Sequence, residues 1–258
     1  MRGRRTVAFL ALVALPMTAC DGGGSTDDGP PGASDAPAAR NPAEFVQGEP
    51  YLPAIDPADF VAEVDNPYFP LEPGTVRIYE GTSDGETERV EVTVTREQKE
   101  VLGIAVTVVH DQVFVDDELV EDTFDWFAQD RWGNVWYLGE DTSEIENGEV
   151  VNHAGAWGAG VDGAQPGIVM LAEPRVGDVY RQEFFAGEAE DMAEVAALDG
   201  SVEVPTGAYD AVLVTHDTTP LEPGIVEEKS YARGIGVVFE EKIAGGDGVL
   251  ELVEIRTL

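Results

Sequence analysis

The groups in this chain able to do chemistry are 51 acidic residues, three histidines and one cysteine. A metal or acid-base site would draw first on the histidines. His110 and His216 each precede an aspartate within an alternating apolar run, so their spacing suggests strand-end histidines held by hydrogen bonds, while His153 beside a glycine-rich stretch is expected at the surface. Glu121 and Asp125 flank an aromatic band, and such a carboxylate pair could work as acid and base on a polymer. Asp122, Asp130, Glu140 and Asp141 offer the oxygen ligands calcium takes, but the acid spacing of an EF-hand loop is missing. The band itself, Phe124, Trp126, Phe127, Trp132, Trp136, Tyr137 and Trp157, offers wide rigid apolar area at low entropic cost. Phe124, Trp126, Trp136, Tyr137 and Trp157 are therefore the candidate ligand-binding residues. His-Glu-x-x-His is absent, and Gly158-Ala159-Gly160-Val161-Asp162-Gly163 spells a dinucleotide fingerprint with no parallel strand before it and no helix after it. The expectation is a binding or interaction module, not an enzyme, with no cofactor. A polymer hydrolase and a calcium-stabilised structural domain are the alternatives.

The cysteine has a different use. Arg2, Arg4 and Arg5 precede a short apolar run from Val7 to Pro16, the layout of an export signal. That run is too short for a spanning helix, which needs about 20 residues. Met17-Thr18-Ala19-Cys20 resembles the bacterial lipobox, which implies cleavage after residue 19 and a diacylglycerol thioether on Cys20. Two or more acyl chains give stable anchoring. The expected partners are thus a membrane, through Cys20, and an apolar small molecule or an envelope protein. The expected place is the extracytoplasmic side of the cell membrane or outer membrane.

Residues 20–55 are rich in Gly, Asp, Pro and Ala and have little to bury, so they read as a linker. The formal charge is −36, and loss of residues 1–19 would remove three of the 15 basic residues and none of the acidic ones. Such a surface repels nucleic acid and anionic headgroups. The acids are spread along the chain, as expected for a surface that maintains solubility.

Residues 56–258 must position these groups, and they read as strands nearly throughout. Val90, Val92 and Val94 alternate with Glu91, Thr93 and Thr95, and similar period-two runs recur at 105–115, 124–128, 135–138, 209–216 and 236–240. Glu188 to Ala197 is open to helix or strand, Pro57 to Ala62 to one helical turn, and residues 155–167 read as a loop. The chain also repeats itself: Glu72-Pro73 to Tyr79 is echoed by Glu173-Pro174 to Tyr180, and Gly103 to His110-Asp111 by Gly207 to His216-Asp217. Copies spanning 71–140 and 172–244 predict a duplicated meander, with His110 equivalent to His216. The fold class is mainly β: one antiparallel curved sheet (a half-barrel) or a sandwich, of about 10–11 strands.

Three turn motifs carry a further resemblance: Asn66-Pro67-Tyr68-Phe69-Pro70-Leu71-Glu72-Pro73-Gly74, Val204-Pro205-Thr206-Gly207-Ala208-Tyr209 and Tyr231-Ala232-Arg233-Gly234-Ile235-Gly236. They are similar to marks of exported bacterial lipoproteins related to the LolA/LppX half-barrel group. That resemblance implies a half-barrel with an apolar concave side, although the helical lid of those carriers has no counterpart in this sequence.

Overall fold

The computed structural model describes residues 50–258. Residues 1–49, with the expected export signal, Cys20 and most of the expected linker, lie outside the described residues. After a single 3-10 turn (Pro57–Asp59), the first half contributes β1 (Phe60–Val61), β2 (Thr75–Ser83), β3 (Glu86–Val101), β4 (Ile104–Val115), β5 (Glu118–Asp130) and β6 (Val135–Glu146). Three short strands follow: β7 (Glu149–Asn152), β8 (Trp157–Gly158) and β9 (Gln165–Met170). The second half comprises β10 (Val179–Arg181), β11 (Glu183–Phe184), β12 (Met192–Val204), β13 (Gly207–Thr218), β14 (Val226–Ala232), β15 (Gly236–Ala244) and β16 (Gly248–Thr257). No helix among the described residues is long and apolar enough to cross a membrane.

All 16 strands join one antiparallel sheet, ordered β10-β12-β13-β14-β15-β16-β2-β3-β4-β5-β6-β9-β11 along its main path. Eleven strands have six or more residues, in line with the count expected from the alternation. The two ends of the path, β10 and β11, are separated in sequence by Gln182 alone. One stretch of chain therefore pairs with β12 through Tyr180 and with β9 through Glu183, and the sheet nearly closes into a barrel. A single sheet replaces the sandwich alternative. Near-closure also leaves few unpaired strand edges.

The two stretches read as copies share one strand order. β2 to β6 form a meander, and β10, β12, β13, β14 and β15 form another. Tyr79 lies on the first strand of one and Tyr180 on the first of the other, both buried. Gly103 (φ 79°) sits in the turn before one third strand and Gly207 (φ 146°) is the first residue of the other, the two strands on which the histidines lie. His110 Nε2 meets Asp122 Oδ1 on the fourth strand at 2.7 Å, and His216 Nε2 meets Glu228 Oε2 on the equivalent strand at 3.1 Å.

One ambiguous segment and one expected loop each turn out to be strand in part. Within Glu188 to Ala197, buried Ala193 and Val195 alternate with exposed Glu194 and pair with Asp217 and Thr215, so β12 begins at Met192. In the expected loop 155–167, Trp157–Gly158 pairs with Gly139 and Glu140, and Gln165 onward belongs to β9. Glycine suits these pairings because the backbones crowd: a Cβ on Gly167 would lie 2.2 Å from the Gln182 carbonyl carbon.

Candidate functional site

The residues that meet inside the barrel follow from cross-strand register, since directly opposed residues share a face. Starting at Arg77 on β2, that face passes to Val92 on β3, Asp111 on β4, Thr123 on β5 and Thr142 on β6. Asp125 stands opposite Glu140 on the same face. In the other half Asp217 opposes Glu227, and Lys229 opposes Glu240. The resemblance to half-barrel carriers implied an apolar concave side, and this interior corrects it. Ten acids are buried among the described residues against Arg77, Arg181 and Lys229.

Burying an ionised carboxylate without a counter-charge is costly, so such groups hold their protons. Burial, then repulsion from Asp125, Glu121, Glu240 and Glu88, holds Asp111 well above the usual carboxylate range. Burial likewise pushes Glu121, Asp125 and Glu88 to about 7, in Asp125 against the opposing hydrogen bond from Tyr137. Glu140 and Glu183 stand well above the ordinary range, by burial first. Some acids are bonded: Tyr137 donates its hydroxyl to Asp125 Oδ1 at 2.6 Å, and Trp157 Nε1 donates to Glu183 Oε2 at 2.8 Å. Lys229 lies 3.1 Å from Asp217 Oδ2 and 3.8 Å from Glu240 Oε2. Asp111 Oδ1, by contrast, is buried with no hydrogen-bond partner.

One end of the barrel is closed by residues 64–74, the first of the three turn motifs. Asn66 fixes it: its backbone N–H donates to Gln129 Oε1 (2.8 Å), and its side-chain amide donates to the carbonyls of Gly133 (2.8 Å) and Leu171 (3.1 Å). The third motif docks on the first, with Gly234 N–H donating to the Pro67 carbonyl at 2.7 Å and the Arg233 guanidinium 4.6 Å from the Tyr68 ring centroid. Between these two motifs opens a cavity of about 70 Å³. Phe69, Leu71, Val92, Val109, Phe127 and Val237 give it apolar walls, and Arg77, Tyr79, Asp111 and Asp125 supply its polar groups.

The residues singled out from sequence are dispersed around this pocket. Asp125 lines it, and Glu121 lies two residues further along the same face beyond Thr123. The rings meant to accompany that pair point elsewhere: Trp126 lies on the opposite face, with Lys99 Nζ 3.5 Å over its ring, and Trp136 donates Nε1 to Asp130. Trp136, Tyr137 and Trp157 are buried, Tyr137 edge-on to Trp157 at 5.4 Å and stacked on Phe127 at 4.9 Å. The aromatic hairpin is thus packed from both sides. Phe124 stacks on His110 at 4.2 Å on the outer face.

The four acids considered for calcium do not converge. Asp122 bonds His110 and Gln112 on the outer face, Glu140 faces inward, and its neighbour Asp141 is exposed. Asp130 accepts from Trp132 N, Asn134 N, Asn134 Nδ2 and Trp136 Nε1 at 2.8 to 3.0 Å, and so holds the β5–β6 turn. Among the described residues no group of three or more His, Cys, Asp or Glu is placed to hold a metal ion.

Sequence reasoning missed the pocket residues Phe69, Arg77, Tyr79 and Asp111. Their signal was phase, since Asp111 alternates in step with Val109 and Val113. It also missed that Gly81-Thr82-Ser83-Asp84-Gly85 spells the letters of a nucleophile elbow. Ser83 ends β2 in a hairpin with β3 and no helix follows, so no elbow is built.

No family model matches the chain, and no curated protein matches it. Among solved structures, a Parabacteroides distasonis protein provisionally described as a lipoprotein is similar at a TM-score of 0.39 and 12% identity. The match covers 73% of this chain and 98% of that one. A likeness this distant says nothing about function.

Proposed function

We propose that this protein is a lipid-anchored binding module of the bacterial envelope. It is tethered on the extracytoplasmic side through Cys20 and takes a small, largely apolar ligand at the capped end of its barrel. The observation that carries the binding reading is the pocket between the Asn66–Gly74 cap and the Gly236–Val237 strand start, with apolar walls around a few buried polar groups. Polar groups so placed orient a ligand while the walls supply most of the affinity. The anchor rests on the lipobox-like Met17-Thr18-Ala19-Cys20.

Native mass spectrometry of the protein purified from its own envelope tests the binding reading. A small compound is expected to be retained, and Val237→Phe, which narrows the pocket, should release it. If wild type and variant both carry nothing beyond polypeptide and anchor, the reading fails. The anchor has its own test: radiolabelled palmitate should enter the wild-type chain and not Cys20→Ser, and equal labelling of both would reject it.

A further inference from the structure

The charges around the pocket narrow its ligand further, on the premise that the pocket is a binding site. Asp111 is 5% exposed, lines the pocket and leaves Oδ1 without a hydrogen-bond partner. Asp125 lines the same wall, with one oxygen engaged by Tyr137. Arg77 is the one cation of the lining, and its Nη2 donates to the Pro70 carbonyl at 2.8 Å. The lining thus holds two acids and one base inside a barrel whose buried acids outnumber its buried bases ten to three among the described residues. Two lining atoms are buried without a partner, the acceptor Asp111 Oδ1 and the donor Arg77 Nε, and the balance of charge around them favours a cation.

We propose that the pocket binds a small organic ammonium, a primary or secondary amine on an apolar body, with its N–H donating to Asp111 Oδ1. Asp125 shares the charge, and the body rests against Phe69, Val92 and Val237. A charge-assisted bond to a desolvated carboxylate is about twice as strong as a neutral one. Phe69, Tyr79 and Phe127 line the pocket, and an aromatic ring attracts a cation placed over its face. The formal charge of −36 draws cations toward the molecule and turns anions away. Asp111 and Asp125, which hold protons against their burial, would ionise beside the ligand and so gain the counter-charge they lack. Arg77 is the group that favours the opposite ligand, a carboxylate, and the experiment must set the two against each other.

Three probes of one shape do so: phenethylamine, 2-phenylethanol and 3-phenylpropionate, titrated calorimetrically into the full lipidated protein in a non-ionic micelle, with empty micelles as blank. Phenethylamine should bind at least tenfold tighter than the alcohol, and the carboxylate weakest. Asp111→Asn should cost the amine about tenfold and leave the alcohol nearly unchanged, with a cooperative thermal transition showing that the variant folds. Should Asp111→Asn fail to fold, Val237→Phe replaces it and should weaken all three probes. Equal binding of amine and alcohol, or tightest binding of the carboxylate, overturns the ammonium assignment and leaves the binding reading standing. If none of the three binds, the assignment also falls, and native mass spectrometry decides separately whether the pocket holds anything else.

Discussion

Asp130 and Glu140 show how differently two buried acids are treated in one hairpin. Asp130 is surrounded by four donors from the turn it closes and from Trp136. Removing it strands those donors, and each lost bond to a charged group is worth about 1.5 to 3 kcal/mol. Asp130→Ala should therefore lower unfolding stability by about 3 kcal/mol or more in denaturant titration, and a loss under 1 kcal/mol would contradict the assigned role. Glu140 has the opposite character, since neither of its oxygens has a hydrogen-bond partner. Its carboxyl is held well above the usual range by burial and then by Glu183. Glu140→Gln keeps the shape and removes the charge that neutral or alkaline solution forces on the interior. Its stability at pH 8 should equal or exceed wild type, and a marked loss there would mean that the ionised form is bonded in a way the geometry does not show.

At the scale of elements, the closing strand is the weakest link of the architecture. Residues 179–184 pair on two sides only because β9 approaches closely enough at Gly167, where an added Cβ would fall 2.2 and 2.3 Å from the Gln182 carbonyl carbon and oxygen. Backbone cannot yield as a flexible side chain can, and overpacking of this kind costs typically about 1 to 3 kcal/mol. Gly167→Ala should destabilise by that amount and speed hydrogen exchange first in β9 and β11. Uniform exchange across the barrel would argue against a seam there. The strands themselves were legible, because Val90, Val92 and Val94 repeat at the strand period and Gly- and Asp-rich turns separate such runs. Closure was not, because Val179 to Phe184 reads as one short strand and nothing local marks the change of partner at Gln182. The pocket was half legible. Its walls come from turn motifs visible in sequence, but Asp111, Glu121 and Asp125 are in phase with apolar neighbours. Glu121 and Asp125 stood out beside the aromatic band, whereas a reading that assigns acids to the outer face passes over Asp111.

At the scale of the whole molecule, the acid-lined interior sets how stability answers to pH. Glu121 and Glu88 titrate at about 7 when folded against 4.5 ordinarily, and Asp125 at about 7 against 3.8, each chiefly through burial. Between those limits the folded chain holds protons that the unfolded chain has released. Stability must then fall as pH rises, being fully present below about 4 and lost progressively up to about 7. Asp111, Glu140, Glu183 and Glu240, also held well above the usual carboxylate range, by burial first, add to that loss. The melting temperature should therefore peak near pH 4 to 5 and fall by at least about 5 °C by pH 8, given that one unit of pKa is about 1.4 kcal/mol and a chain of this size shifts roughly 2 to 4 °C per kcal/mol. Surface repulsion in a chain of charge −36 acts in the same direction, so pH alone does not separate the two causes. Salt does. At 1 M ionic strength the screening length is about 3 Å, which suppresses repulsion between exposed acids but reaches buried ones far less. Differential scanning calorimetry from pH 4 to 8 at low salt and in 1 M NaCl should give two descending curves of similar slope, the salted one displaced upward. If the slope vanished in salt, the acids of the surface, and not those of the barrel interior, would govern the response.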